Sequence, residues 1–326
     1  MSRVSLSLAC GDYEIVRALK DGTVQPDGID LLVLTGDRTR ILRSERREEC
    51  DLGEFNVVGY LMDRARDGDL VALPIYPHRR FRHGFAFVRT GSGIEGPGDL
   101  AGRRVGIRGR APAAVVWLRG ILADLYGLAY DSVEWIDNFG MLGNPLAGTG
   151  TDEVTIAANN ARIDEALLAG EIDAMLAPSF PPAFVRGDPR IRRLFEDHKS
   201  EELEYFRKTG IFPIMHVVVT RRSLIERHRW VPSSLAFAFE QAKARCYERL
   251  RNPRSLPLAF LEHAWEEQIE LLGPDPWRYG LGGANRDNLA TIFRYAFDQG
   301  LIGELPLVED AVVPLGADSF IGTPGF

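Results

Sequence analysis

In two short segments of this chain, a histidine directly precedes an apolar run that is typical of a β-strand. Phe81-Arg82-His83 leads into Gly-Phe-Ala-Phe-Val, and Pro213-Ile214-Met215-His216 leads into Val-Val-Val-Thr. A strand that opens on an ionisable ring holds that ring at the edge of a buried sheet, where many α/β proteins keep their chemistry. If the two strands lie side by side, they are paired crossings between two lobes, and both histidines face a cleft.

Length and charge narrow the class of protein. At 326 residues the chain exceeds the size at which a single core stops growing, so two lobes are expected. A net charge of −7 without a polybasic block argues against nucleic-acid binding. No apolar run is long enough to span a bilayer, so no membrane partner is expected either. Homo-oligomerisation is left open.

The three cysteines point to reduced thiols. Cys10, Cys50 and Cys246 are odd in number and far apart, which suggests neither a disulfide framework nor a zinc pattern. The stretch ending at Cys10 looks loosely like a lipoprotein cleavage site, but the residues before it alternate like a strand and are too few for a signal peptide. We therefore expect a leaderless cytoplasmic protein.

Strand and helix patterns alternate through the first two thirds of the chain, which indicates α/β architecture with mixed, mostly parallel sheets. Strands are predicted at 4–9, 28–34, 51–55, 71–76, 104–107, 132–136 and 174–177, and helices at 57–66, 113–126 and 162–169. The C-terminal part is helical, at 233–249, 256–272 and 286–299. We predict lobe I from residues 1–89 plus 213–326 and lobe II from 90–212, joined by a hinge of two crossing strands, with a ligand cleft between them. This is the plan of a type II periplasmic-binding-protein fold.

Arginines occupy positions where a helix is predicted to begin. Arg108 and Arg110 lie between a strand and a helix, and Arg286 follows a potential cap, Asn285. Because a helix N-terminus already carries partial positive charge, cations there are unfavourable unless an anion joins them. Two such places suggest a negatively charged ligand, and the alternative is that these side chains extend into solvent.

The third helix pattern carries two further candidates. Arg119 lies mid-helix among apolar neighbours, where it pairs either with a structural carboxylate or with that of a ligand. Trp117 either forms an apolar wall against the aromatic ring of a substrate or belongs to the hydrophobic core of the protein.

His216 and His83 are the candidates for acid–base chemistry, and a satisfied core histidine is the alternative for each. His198, His228 and His263 lie in charged helical stretches and are predicted to be solvated, and His78 is predicted in a loop. Asp12 and Glu54 each end an apolar strand at the carboxyl edge where ligands bind, although turn or capping roles compete. None of these residues shows a close metal-ligand spacing, so no metal site is predicted, and a divalent metal is left open.

The glycines give no Rossmann fingerprint, no P-loop and no nucleophile elbow. These absences count against nucleotide-dependent chemistry and serine hydrolysis.

Read together, several stretches resemble the 4,5-dihydroxyphthalate decarboxylase family, a cytoplasmic branch of the type II periplasmic-binding-protein fold. They span nearly the whole chain in order. The matching stretches are Leu8-Ala9-Cys10-Gly11-Asp12-Tyr13, Gly28-Ile29-Asp30-Leu31, Phe81-Arg82-His83, Asp99-Leu100-Ala101-Gly102-Arg103-Arg104-Val105-Gly106, Trp117-Leu118-Arg119-Gly120, Arg186-Gly187-Asp188-Pro189-Arg190, Thr209-Gly210-Ile211-Phe212-Pro213-Ile214-Met215-His216, and Tyr279-Gly280-Leu281 with Asn285-Arg286.

The departures from the family pattern fall at the predicted ligand site. Where the family shows a Pro-Glu-Tyr-Gln-Met-Thr-like helix entry, this chain has Arg108-Gly109-Arg110-Ala111-Pro112-Ala113, and Asn56 stands where the family tends to have serine. The loop 139–150 does not align. Changed contact residues on a preserved scaffold suggest a related but different carboxylate.

The resemblance implies a cofactor-independent decarboxylase that acts on a hydroxylated aromatic or heteroaromatic (di)carboxylate by ring-carbon protonation and loss of CO₂. His216 and His83 would transfer protons, Asp12 or Glu54 would recognise a hydroxyl, and cations would anchor carboxylates. The residues predicted to bind substrate are Arg82, Arg108, Arg110, Trp117, Arg119, Asn56, Ser179, Asn285 and Arg286. The alternatives are a solute-binding or sensor protein for a small anion, and a biosynthetic isomerase or cyclase that uses the same cleft.

Overall fold

The computed structural model describes residues 3–35, 50–137 and 162–315, so the loop predicted at 139–150 lies outside the described residues. The chain divides into two compact units. Unit 1 comprises Met1–Arg79, His216–Leu289 and Pro306–Phe326, and unit 2 comprises Arg80–Met215 and Ala290–Leu305. These units differ from the predicted lobes chiefly in the C-terminal region. The second half of the last long helix, from Ala290 onward, belongs to unit 2, whereas it was predicted in lobe I. The predicted ligand cleft between lobes stays a prediction.

Ten strands and eleven helices account for most of the described chain. The strands are β1 (Val4–Cys10), β2 (Ile29–Thr35), β3 (Leu52–Asn56), β4 (Leu70–Arg79), β5 (Ala86–Arg89), β6 (Arg104–Ile107), β7 (Glu134–Ile136), β8 (Ala174–Leu176), β9 (Ile191–Arg193) and β10 (Ile214–Arg221). The helices are α1 (Arg17–Lys20), α2 (Val57–Arg64), α3 (Ala113–Tyr126), α4 (162–169), α5 (Pro182–Val185), α6 (His198–Thr209), α7 (Arg222–Arg227), α8 (Val231–Arg251), α9 (Leu261–Leu272), α10 (Ala284–Asp298) and α11 (Val308–Ala311).

The sheet of unit 1 has the strand order β2-β1-β3-β10-β4. Strand β1 runs parallel to both β2 and β3, and β10 runs antiparallel to β3. The end of β1, the end of β3 and the start of β10 therefore meet at one edge of the sheet. This is the carboxyl edge at which Glu54 was predicted to lie.

The sheet of unit 2 has the order β7-β6-β8-β5-β9. Strand β6 is parallel to β7 and β8, whereas β5 is antiparallel to β8 and β9. Helix α3 is buried at every position from Ala113 to Leu122, which is typical of a helix enclosed on all sides. At Gly120 an added Cβ would lie 2.2 Å from the Tyr295 ring, so only glycine allows this close packing.

Two predicted elements have different bounds in the structure. Residues His83–Phe85 form a 3₁₀ turn and the strand begins only at Ala86, so His83 does not open a strand. Strand β4 continues to Arg79, which places His78 on a strand instead of in a loop. The predicted strand ended at residue 76, just before Pro77; β4 continues through this proline because it is the last strand in its sheet order, and an edge strand tolerates proline.

Over residues 3–35, 50–137 and 162–315, none of the helices combines the length and the apolarity that crossing a bilayer requires.

Candidate active site

Glu54 and His216 meet at the shared edge of β3 and β10 in unit 1. The register pairs His216 with Asn56 and Val218 with Glu54, so Glu54 and His216 are diagonal neighbours on the same face. His216 Nδ1 lies in hydrogen-bond contact with Glu54 Oε1. The carboxylate is fully enclosed and the imidazole is 20% exposed, so the pair opens to its surroundings on the histidine side.

The segment that follows β1 holds the Glu54 carboxylate in place. The backbone N–H of Gly11 donates to Oε2 at 2.7 Å, and the Tyr13 hydroxyl donates to Oε1 at 2.8 Å. Burial of a carboxylate is unfavourable unless its oxygens are hydrogen-bonded and its charge is compensated. The segment after β1 and His216 on β10 therefore fix the orientation of this one side chain.

His78 joins the pair from β4. Its ring centroid lies 4.8 Å from that of His216, in an edge contact, and 5.8 Å from that of Tyr13, in a stacked arrangement. One carboxylate oxygen of Glu54 and one nitrogen from each histidine all lie within 4.8 Å of one another. We call these three residues the Glu54–His78–His216 cluster.

The cluster offers one carboxylate and two imidazoles at a partly open position. Such groups accept a proton from a hydroxyl, hold a bound hydroxyl in its ionised form, or ligate a divalent cation. The sequence interpretation selected Glu54 and His216, and it missed the contributions of His78 and Tyr13. The stretch Gly11-Asp12-Tyr13 was noted only for Asp12.

Asp12 and Asn56 flank the cluster in the sequence but have local roles in the structure. Asp12 is exposed and forms an ion pair with Lys20 at 2.9 Å, so its carboxylate is not held toward the cluster. Asn56 is the N-cap of α2, because its side-chain oxygen accepts hydrogen bonds from the N–H groups of Val58 and Gly59. Both side chains therefore have local contacts, and their predicted contacts with substrate stay predictions.

Arg82 is part of a group of arginines and aromatic rings in unit 2. It is buried, with Nε donating to Met215 Sδ at 3.1 Å and Nη1 donating to the carbonyl of Pro178 at 3.1 Å. Burial lowers the pKa of Arg82 to about 9. A guanidinium enclosed in this way favours the approach of an anion.

Two further arginines lie against the same rings. Phe85 and Phe180 stack with centroids 4.8 Å apart. Arg80 lies 4.5 Å from the Phe85 ring, and Arg193 lies 5.5 Å from the Phe180 ring. Cationic groups on aromatic faces suit a planar anionic ligand. Carboxylate binding by Arg82 stays a prediction.

Arg108 and Ser179 line one narrow recess of unit 2, together with the buried Asp164. The recess has a volume of about 10 Å³, enough for roughly one water molecule but not for an aromatic acid. Their predicted contact with substrate stays a prediction.

Trp117 and Arg119 belong to the interior of unit 2. The Trp117 ring is fully buried and its indole N–H donates to the carbonyl of Ile214 at 2.8 Å, which is a core role. The guanidinium of Arg119 lies 4.6 Å from the Trp135 ring and 5.6 Å from the Tyr130 ring. Burial lowers its pKa to about 10. Aromatic faces therefore surround this cation where a carboxylate partner was predicted.

The other residues predicted to bind substrate, Arg110, Arg286 and Asn285, make contacts within the protein. Arg110 is exposed and pairs with Asp137 at 2.7 Å, and Arg286 is exposed and pairs with Glu309. Asn285 lies in the first turn of α10, where its amide N–H groups donate to three backbone carbonyls and its oxygen accepts from Arg79. Asn285 is buried, so it locks a turn in place instead of facing a ligand.

His83 has the environment of a core histidine. It is fully buried, its ring contacts Phe195 and Tyr205, and neither ring nitrogen has a hydrogen-bond partner among the described residues. Burial, together with the nearby His198, lowers its pKa from 6.5 to about 4. At neutral pH the ring is therefore uncharged, and the predicted part of His83 in proton transfer stays a prediction.

The lowered pKa of His83 predicts a contribution to stability that depends on pH. The neutral ring stabilises the folded state fully above about pH 6.5, and this contribution is lost as the pH falls toward 4, because the unfolded chain takes up the proton more readily. The loss amounts to up to about 3 kcal/mol in the free energy of unfolding. Urea unfolding at pH 7 and pH 4.5 should show a smaller acid-induced loss for His83→Phe than for the unmodified protein. An equal loss in both would contradict the assignment.

Comparison with known proteins assigns the chain to a family. No family model matches the sequence. A 4,5-dihydroxyphthalate decarboxylase of Comamonas testosteroni is 33% identical over 294 residues, which cover 86% of this chain and 88% of that protein. The chain belongs to the 4,5-dihydroxyphthalate decarboxylase family. A second member, from Pseudomonas putida, is 31% identical over 214 residues, which cover 64% of this chain and 83% of that protein.

Membership of the 4,5-dihydroxyphthalate decarboxylase family confirms two predictions, the resemblance itself and an enzyme of the carboxy-lyase class.

The fold of this family member is shared with solute-binding proteins. The alkanesulfonate-binding protein SsuA of Xanthomonas axonopodis pv. citri, bound to MOPS, matches with a TM-score of 0.54 and 15% identity over 97% of this chain and 99% of that one. The aliphatic sulphonate-binding protein SsuA of Escherichia coli gives 0.56 and 13% identity over 95% and 97%. The desulfurization enzyme DszB gives 0.52 and 18% identity over 96% and 97%. The predicted α/β fold of the periplasmic-binding-protein type is confirmed.

Proposed function

We propose that this protein removes one carboxyl group, as CO₂, from a hydroxylated aromatic dicarboxylate of the 4,5-dihydroxyphthalate kind. The observation that carries the proposal is the Glu54–His78–His216 cluster, a buried carboxylate with two imidazoles, found in a chain that belongs to a decarboxylase family. The cluster binds the hydroxylated edge of the ring and favours its ionised form.

The chemistry of such a substrate shows why an ionised hydroxyl is needed. Direct loss of CO₂ from an aromatic ring would leave an aryl carbanion, which is highly unfavourable. The alternative is protonation of the ring carbon that bears the carboxylate: a C–H bond forms, the C–C bond to the carboxylate breaks, and its electron pair restores the aromatic ring. Protonation is easier when an oxygen anion conjugated with that carbon supplies electron density.

In 4,5-dihydroxyphthalate, each carbon that carries a carboxylate has a hydroxyl in the para position. Ionisation of that hydroxyl delivers electron density to the carbon that must accept the proton. A group that stabilises the ionised oxygen therefore acts at the opposite side of the ring from the departing carboxylate. The cluster supplies such a group, because an imidazole and a carboxylate in contact accept a hydroxyl proton more readily than water does.

Tyr13 and Gly11 support this role by fixing the Glu54 carboxylate, Tyr13 at Oε1, the oxygen that His216 contacts, and Gly11 at Oε2. The carboxylate cannot turn away without losing two hydrogen bonds. Its position relative to a bound hydroxyl is therefore set before substrate arrives, which is the arrangement that makes charge stabilisation effective.

A panel of aromatic acids tests the proposal. We expect CO₂ release from dicarboxylates with a hydroxyl para to a carboxylate, measured by mass spectrometry of the headspace and by loss of the substrate absorbance. Phthalate, which lacks hydroxyl groups, should give no release above background and serves as the matched control. The dimethyl ether of 4,5-dihydroxyphthalate keeps both ring oxygens and both carboxylates but has no hydroxyl proton to lose, and it should also be inert.

Two outcomes would overturn the proposal. Equal turnover of phthalate and its dihydroxylated form would show that ionisation of a hydroxyl is not used. Tight stoichiometric binding of all the acids without any CO₂ release would favour a solute-binding protein, which the shared fold allows.

A further inference from the structure

We propose that the Glu54–His78–His216 cluster is a binding site for one divalent metal ion, and that the ion chelates two adjacent hydroxyl oxygens of the substrate. The second half of this inference rests on the proposed function, whereas the first half stands on the structure of unit 1 alone. Two imidazoles and one carboxylate are a donor set that holds Zn²⁺, Mn²⁺, Fe²⁺ or Co²⁺ and leaves coordination positions open.

The spacing of the donor atoms fits a single ion. The three donor atoms lie within 4.8 Å of one another. Opposite ligands of a metal with bonds of about 2.1 Å are separated by about 4.2 Å, and neighbouring ligands by less. Side-chain adjustments of about 1–2 Å, shared among the three residues, therefore bring all three atoms into one coordination sphere.

The donors come from three strands that are neighbours in one sheet. Glu54 lies on β3, His216 on β10 and His78 on β4, in the order in which the sheet pairs them. Sites built on strands are held more precisely than sites built on loops. The cluster is therefore preorganised, and binding of an ion costs little further ordering of the chain.

The charge balance of the cluster also favours a cation. The Glu54 side chain is fully enclosed; besides the contact of Oε1 with His216 Nδ1, it accepts from two neutral donors, the Gly11 N–H and the Tyr13 hydroxyl. A buried carboxylate requires compensation of its charge. A divalent ion supplies that compensation, while His216, which is 20% exposed, keeps one side of the site open to a ligand.

Residues around the donors act as metal-site supports do. The Tyr13 hydroxyl and the Gly11 N–H orient the carboxylate, and the Tyr13 ring stacks on His78. Partners of this kind orient the ligands of metal centres and raise their affinity. A ligand that contributes two adjacent oxygens fits the open positions, and metal coordination lowers the pKa of a bound hydroxyl, which is the change the proposed reaction needs.

Metal titration of the full-length protein tests the site directly. After removal of metals by dialysis against a chelator, we expect about one equivalent of Zn²⁺ to bind in calorimetry. Co²⁺ should produce visible absorption bands of a site with nitrogen and oxygen ligands. His78→Ala should weaken Zn²⁺ binding by at least about 100-fold, because it removes a direct ligand. His263→Ala, an exposed histidine of the same unit, should leave Zn²⁺ binding unchanged.

A second variant guards against a folding defect. His78→Gln keeps a polar side chain of similar size, and circular dichroism should confirm that both His78 variants are folded. Absence of stoichiometric binding, or an affinity that is the same in His78→Ala, His78→Gln and the unmodified protein, would overturn the metal site.

The two proposals fail in different ways. If chelator-treated protein releases CO₂ at the full rate and added metal changes nothing, the proposed chelation of substrate by the ion is wrong and the decarboxylase proposal stands. If one ion binds in the cluster but no hydroxylated acid loses CO₂, the metal site stands and the decarboxylase proposal is wrong. Catechol has adjacent hydroxyls and no carboxylate. Its addition is expected to change the visible absorption bands of the bound Co²⁺, because it chelates the ion, and this readout does not require turnover.

Discussion

Replacing Glu54 with glutamine is expected to lower kcat for CO₂ release by about 10²- to 10⁴-fold. Glutamine keeps the shape of the side chain and can still accept from Gly11, but it cannot carry the negative charge that the imidazoles face. The measurement is steady-state CO₂ release on 4,5-dihydroxyphthalate. Glu262→Gln, an exposed glutamate in the same unit, should retain full activity as the matched control.

Tyr13→Phe separates positioning from charge in the same experiment. It removes one hydrogen bond to the Glu54 carboxylate but leaves the charge in place, so kcat should fall much less than in Glu54→Gln. Undiminished activity in a folded Glu54→Gln variant would show that the cluster does not take part in the reaction.

Replacing Trp117 with alanine is expected to reduce the free energy of unfolding by about 3–5 kcal/mol. The ring is fully buried in α3, packs edge-on against Tyr295 with centroids 5.5 Å apart, and donates to the carbonyl of Ile214. Alanine would leave a cavity and remove the indole hydrogen bond to this carbonyl. Urea unfolding followed by circular dichroism measures the loss.

Two comparisons make the Trp117 result specific. Trp230→Ala changes a tryptophan that is 43% exposed and should cost about 1 kcal/mol or less. Trp117→Phe, which keeps most of the packing, should be less destabilising than Trp117→Ala. A normal unfolding free energy combined with a large rise in KM would instead indicate that Trp117 forms a wall of the substrate site.

Alternating apolar strands allowed the sequence to indicate where Glu54 lies. A strand that ends on a carboxylate places it at a sheet edge, and the antiparallel partner brought His216 to the same edge. His78 was missed for a local reason, since the predicted strand ended at residue 76, just before Pro77. The Glu54–His216 contact joins positions 162 residues apart, so no spacing rule for metal ligands could detect it.

The sequence did not indicate which residues contact the arginines at the predicted helix starts, and their binding of substrate stays a prediction. The argument from helix starts assumed that Arg110 and Arg286 need an external anion. In the structure the acids that balance them, Asp137 and Glu309, come from distant parts of the chain. Sequence alone identifies an unfavourable charge, but it does not identify which residue compensates it. Exposed pairs of this kind contribute little to stability, so their selection is weak and their partners are hard to foresee.

The register of β3 and β10 limits how the length of this chain can vary during evolution. Val218 pairs with Glu54 and His216 with Asn56, and successive side chains of a strand point to opposite faces. Loss of the single residue Val217 would leave the apolar half of β10 in place but turn His216 to the other side of the sheet. Insertions and deletions should therefore be tolerated in the preceding loop but excluded between His216 and Val218, so relatives that keep the activity should conserve this spacing even where the residue types drift.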